Sequence, residues 1–116
     1  TKITSKYIFL FIPGLKSEPV IDVNEIKMMG PLSEHIHMHD SFGIIERIWT
    51  NIDAENTSYG QGDLHLPLGW GDIPFDKIFD EVQFPKNINL NFELPFRYEK
   101  YFIENIVKAR QLLKKL

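Results

Sequence analysis

A chain of 116 residues, 43% hydrophobic and 25% charged, has the length and balance of one globular domain spanning residues 1–116 and is too short for two. The net charge of −3 leaves no basic footprint for nucleic acid, and the lack of cysteine excludes disulfide staples and thiolate metal sites. No apolar run approaches the roughly 18 residues of a membrane span, so no membrane partner is expected and the cytoplasm is the expected setting.

Three strand-then-helix units follow one another. Residues 7–12 are β-branched and aromatic and close on Pro13-Gly14, which reads as a buried strand in preference to a trimmed signal segment. A short helix follows, with Asp22 as N-cap, Glu25 three residues on and Gly30-Pro31 as its stop. Residues 34–39 form the second strand. In the long segment 40–71, Phe42, Ile45 and Ile48/Trp49 suit one or two helical turns, while residues 50–62 are polar and turn-rich. A helix starts near Asp72-Ile73-Pro74 with Phe75, Ile78, Phe79 and Val82 on one face. The third strand is 88–94. The last helix, 98–116, is expected to bury Phe102, Ile106, Ala109 and Leu113 and ends in Lys114-Lys115, which suits its dipole.

Strand and helix in alternation predict a parallel sheet with right-handed crossovers. Alternation along the second strand sets His35, His37 and His39 on one face, opposite Ile36 and Met38. On the third, Asn87, Asn89, Asn91 and Glu93 oppose Ile88, Leu90, Phe92 and Leu94. With helices over the apolar face, the polar one calls for a metal or a polar ligand. The alternatives are a solvated strand face or an incidental cluster of imidazoles satisfied by backbone carbonyls. Between the strands, one extended step sets Asp63 and His65 on a common side. Two imidazoles and two carboxylates at one mouth suit a divalent cation.

The order of these motifs carries a resemblance. His35-Ile-His-Met-His-Asp40 followed by Gly43 resembles the HxHxHDxxG strand end of sugar-phosphate isomerases and epimerases in the xylose-isomerase-like superfamily. Asp63-Leu-His-Leu-Pro-Leu-Gly-Trp-Gly-Asp-Ile73-Pro-Phe is similar to its DxHLPLGxGxIxF segment, and Leu90-Asn-Phe-Glu93-Leu to its last strand. The likeness covers residues 22–116, and endonuclease-IV-type enzymes share the scaffold. It implies the C-terminal three or so βα units of a (β/α)8 barrel, incomplete as a single chain because closure takes eight. The completing part would be an N-terminal portion of the barrel or other subunits of an oligomer.

By the same resemblance, His37, Glu93, Asp63 and His65 are metal ligands and Glu93 is also the catalytic acid/base. His35, His39 and Asp40 would stand around them or touch substrate. The cofactor would be a divalent metal, with manganese, zinc or cobalt all open. Three departures count against a full ligand set. A glutamate-bearing earlier strand is absent, and Phe11 and Gly14 stand where an LDxGH-like strand would supply ligands; Trp70 also replaces an acidic residue. Whether the chain is itself an enzyme is therefore open.

Three functions follow from the likeness. The first is isomerisation or epimerisation of a sugar or sugar phosphate through an enediolate, with residues 40–71 as part of a lid. The second is an endonuclease-IV-type zinc phosphodiesterase acting on abasic DNA, which the acidic charge and the few arginines disfavour. The third is an inactive fragment or remnant that needs a partner.

Overall fold

The computed structural model describes residues 7–9, 23–43, 52–60, 62 and 64–116. Among these, three strands pair in parallel in the order β1 (Tyr7–Phe9), β2 (His35–Met38), β3 (Asn89–Phe92). Between β1 and β2 stands α1 (Val23–Met29), which runs into a 3₁₀ turn at Gly30–Leu32. Between β2 and β3 come α2 (Asp53–Ser58) and α3 (Phe75–Glu81). After β3 a 3₁₀ turn, Phe96–Tyr101, leads into α4 (Phe102–Leu113). None of the described helices is long and apolar enough to cross a membrane.

The sheet has one apolar and one polar row, and its register aligns them across strands. Ile36 stands beside Leu90 and Met38 beside Phe92; His35 stands beside Asn89 and His37 beside Asn91. Ile36 and Met38 are fully buried, while His35 and His37 are half-buried on the other face. Helices cover the apolar rows: Val23 and Ile26 of α1, Phe75, Ile78 and Phe79 of α3, and Ala109 and Leu112 of α4 join them in one core with Val82, Phe84 and Ile88. Each of the larger of these side chains contributes on the order of 1.5–3 kcal/mol by leaving water. The polar rows are left facing away from the helices.

Two expectations are corrected. Residues 50–62 are not all turn: α2 forms within them, with the Ser58 hydroxyl donating to the Ala54 carbonyl at 2.8 Å and a left-handed Gly60 beyond its end. The last helix is rotated relative to the face its aromatic spacing suggested. Asn105, Ala109 and Leu112 point inward, whereas Phe102 is 38% and Ile106 37% exposed; Leu113 is half-buried. Each helical residue turns the face by about 100°, so a shift of one position moves Phe102 and Ile106 out and Asn105 in. The cause is polar. Asn105 carries a side-chain amide that serves the backbone of the glycine-rich segment, as described below. The expected helical turns at Ile45 and Ile48/Trp49, the Asp22 cap, and Phe11 and Gly14 lie outside the described residues.

Candidate metal centre

Glu93 follows β3 directly, and its N–H still donates to the Met38 carbonyl at 3.3 Å, so the ladder fixes its place at the carboxyl end of the sheet. Parallel sheets hold their ligands at that end. Alternation puts Glu93 on the polar face with Asn91, whose register partner is His37. The consequence is direct contact: His37 Nδ1 donates to Glu93 Oε1 at 2.5 Å. Neither group is deeply buried, with side chains 20% and 34% exposed.

His65 reaches the same carboxylate from a separate segment. Just past β2, Asp40 and Leu66 form an antiparallel bridge, Asp40 N–H to Leu66 O at 2.7 Å and Leu66 N–H to Asp40 O at 2.8 Å. Leu64 and Leu66 are buried against Tyr98, with Phe42 and Tyr101 packed beside them. Between these two leucines His65 adopts φ 45°, the left-handed region that non-glycine residues enter at a cost. That turn brings His65 Nε2 within 3.4 Å of Glu93 Oε2 and lays its ring on His39, centroids 4.1 Å apart. Asp63, its partner in the extended step expected at 63–65, lies outside the described residues.

His39, His65 and Glu93 each offer one ligand atom, and these atoms all lie within 4.8 Å of one another. Donors about 2.1 Å from a shared zinc stand at most about 4.2 Å apart. Closing the difference takes less than about 1 Å, within reach of small χ adjustments. Two imidazoles and a carboxylate suit first-row divalent metals. The donor set fits. His37 holds the other oxygen of Glu93 from the side, the kind of hydrogen bond that orients a ligating carboxylate.

The Glu93 carboxyl is held below its ordinary value of 4.5, chiefly by the hydrogen bond from His37, against a smaller opposing effect of burial; His65 adds in the same direction. It is thus ionised, as a ligand must be.

The remaining sequence candidates are placed as follows. His35 lies near the amino end of β2, lining a depression of about 360 Å³ with Ser33, Glu34, Asn87 and Asn89, at the opposite end of the strand from Glu93. Asp40 is fully buried, its carboxylate accepting the N–H groups of Ser41 (2.9 Å), Gly69 (2.8 Å) and Ile73 (3.2 Å). It serves backbone and lies out of reach of a substrate in solvent.

The expectation that residues 40–71 form a lid is corrected for residues 64–71. Asn105 Oδ1 accepts the Leu68 N–H at 2.7 Å while its Nδ2 donates to the Tyr101 carbonyl at 2.8 Å. Lys108 Nζ donates to the Leu68 carbonyl at 2.7 Å. Bonded from two sides and with Leu64, Leu66 and Leu68 buried, these residues are fixed to the body. The residue types on α4 gave no hint of this, because Asn105 reads as a polar interruption of an apolar stripe. His39, expected beside the ligands, is one of the three residues that offer a ligand atom, whereas His37, expected as a ligand, stands outside that group and bonds to Glu93.

The strain at His65 is separable from its chemistry. His65→Gly and His65→Ala both delete the imidazole, but glycine takes φ 45° freely. The left-handed cost to alanine of about 1–2 kcal/mol exceeds the extra entropy of about 0.5–1 kcal/mol that glycine loses on folding, so His65→Gly should be the more stable by about 0.5–1 kcal/mol. Urea denaturation of the two variants measures this; equal midpoints would mean His65 is not held left-handed in solution.

No protein-family model matches this chain, and neither does any curated protein or any solved structure. The resemblance in the motifs therefore stands on the residues quoted for it.

Proposed function

We propose that this protein binds a divalent metal through His39, His65 and Glu93, with His37 orienting Glu93, and acts on a sugar or sugar phosphate as an isomerase or epimerase. The observation that supports it best is the convergence on one carboxylate of imidazoles from two separate segments, at the carboxyl end of a parallel sheet. A solvated histidine face, the competing account, gives no reason for His65 to sit in a strained conformation above Glu93.

When bound, the metal supplies Lewis-acid polarisation of a carbonyl and a template for adjacent oxygens. Glu93 is assigned to exchange the proton on the carbon beside that carbonyl, in a role that the resemblance shares with a second glutamate not present in this sequence. Its ionised state suits acceptance of a proton, and His37 holds one of its two oxygens, Oε1. Asn91, exposed beside His37 in the register, offers an amide to sugar hydroxyls.

The sheet belongs to the same proposal. Three parallel strands in sequential order suit an arc of a (β/α)8 barrel. The outer edges of β1 and β3 carry no pairing among the described residues, and such edges call for further strands. Those come from another part of a longer chain or from another subunit. A cytoplasmic setting, where sugar phosphates are made and used, completes the reading.

The test has two stages. Titration with Mn²⁺, Co²⁺, Zn²⁺ and Fe²⁺, the last because ferrous enzymes use the same donor types, should give saturable binding. Incubating the loaded protein with aldose and ketose phosphates in deuterated water should then exchange the proton beside the carbonyl, read by NMR. Absence of any binding removes the metal reading; binding without exchange removes the isomerase assignment and leaves the metal centre.

A further inference from the structure

We propose that Asp40 is a positioning residue of the metal centre, holding the 64–73 segment so that His65 meets His39 and Glu93. This rests on the metal reading above and adds a residue that touches neither metal nor substrate.

The argument begins with cost. Asp40 is fully buried, and a buried carboxylate is expensive unless its oxygens are satisfied. Here the compensation is three amide hydrogens, two of them supplied by the 64–73 segment, from Gly69 and Ile73. Such bonds to an ionised acceptor are stronger than neutral ones. The Ser41 carbonyl adds a fourth tie by accepting the Asp72 N–H at 2.9 Å.

The backbone of the same residue sets the register. Asp40 and Leu66 exchange both N–H groups, which ties the 64–73 segment to the end of β2 next to His39. In a regular antiparallel continuation residue 65 would stand opposite residue 41. The left-handed turn at His65 departs from that ladder, and its ring lies on His39 instead. A conformation of this kind persists only where its surroundings over-determine it. The backbone bridge holds one side of the turn, and the carboxylate holds the chain a few residues beyond. Glycine at 71 is part of the device, because a Cβ there would lie 2.6 Å from Asp40 Oδ1.

The test compares Co²⁺ or Zn²⁺ affinity by calorimetry in the wild type, Asp40→Asn, Asp40→Ala and a core control, Ile78→Val, which lowers stability and removes none of the hydrogen bonds Asp40 makes. Asparagine keeps an acceptor for two amides but turns an NH₂ toward the third. Affinity should fall about 10- to 100-fold in Asp40→Asn, the range for residues behind a ligand, and further in Asp40→Ala. Ile78→Val should bind as the wild type does. Wild-type affinity in a folded Asp40→Asn overturns the positioning role alone, whereas a wild type that binds no metal overturns it together with the metal reading. Should neither Asp40 variant fold, hydrogen exchange on the metal-free wild type decides: protected Gly69 and Ile73 amides support the clamp, and exchange at unfolded rates overturns it.

Discussion

Replacing Glu93 by glutamine should lower divalent-metal affinity by more than about 100-fold, because outer partners of a ligand are already worth 10- to 100-fold. Glutamine keeps the shape of the side chain and removes its charge. His37 Nδ1 and His65 Nε2 both face this one carboxylate, at 2.5 and 3.4 Å, and it is the one acid among the three residues that offer ligand atoms. Loss of the charge leaves two imidazoles without the anion that gathers them. Calorimetric titration of wild type and variant with Zn²⁺ measures the change. An affinity within a few-fold of wild type would show that the metal sits elsewhere.

The same variant has a pH signature. Because the Glu93 carboxyl is depressed in the folded protein, its charge favours folding above the ordinary value of 4.5. That contribution declines as pH falls through the lower, folded value. The stability gap between wild type and Glu93→Gln should accordingly be widest above pH 4.5 and close in more acid solution. With the side chain about one-third exposed, solvent screening keeps the gap small. Urea midpoints of the metal-free proteins against pH read it, and a gap that widens toward acid would contradict the ion-pair account.

Gly71→Ala should be the most damaging single methyl in the described part of the segment. Its Cβ would meet the Ser41 carbonyl oxygen at 2.3 Å and its carbon at 2.6 Å, and those are backbone atoms tied into the Asp40 turn. Overpacking of this kind costs about 1–3 kcal/mol. Displacing the segment also strips amides from a buried carboxylate, at a further 1–3 kcal/mol or so. A loss of about 3 kcal/mol in urea unfolding is expected, together with weaker metal binding as the His65 turn moves. Gly69→Ala offers a contrast, since its Cβ would meet only the flexible end of Lys108, at 3.3 Å, though φ 87° strains any side chain there. Equal effects of the two substitutions would argue against the close approach at Gly71 as the cause.

The polar faces of β2 and β3 were legible along the chain because strand alternation has a period of two. Once His37 and Glu93 lie on polar rows, parallel pairing needs only a register to join them. Residue types also announced the helix at Phe75–Glu81, from Pro74 and the spacing of Phe75, Ile78 and Phe79. The tilt of α4 was not announced. Its outward Phe102 and Ile106 follow from a hydrogen bond that Asn105 makes 37 residues away, and local periodicity carries no term for such a partner.

The sequence by itself therefore determined the strand faces and most of the helix-covered core, properties of spacing within one element, while the candidates His35, His37, His39, Asp40, Asp63, His65 and Glu93 came from those faces together with the motif resemblance. Only the tertiary structure decided that His65 turns left-handed onto His39, that His37 grips one oxygen of Glu93, and that Asp40 spends its charge on backbone amides. Those are choices between segments distant in sequence. They are set by which buried polar groups find partners, and the cost of leaving one unsatisfied outweighs local preference.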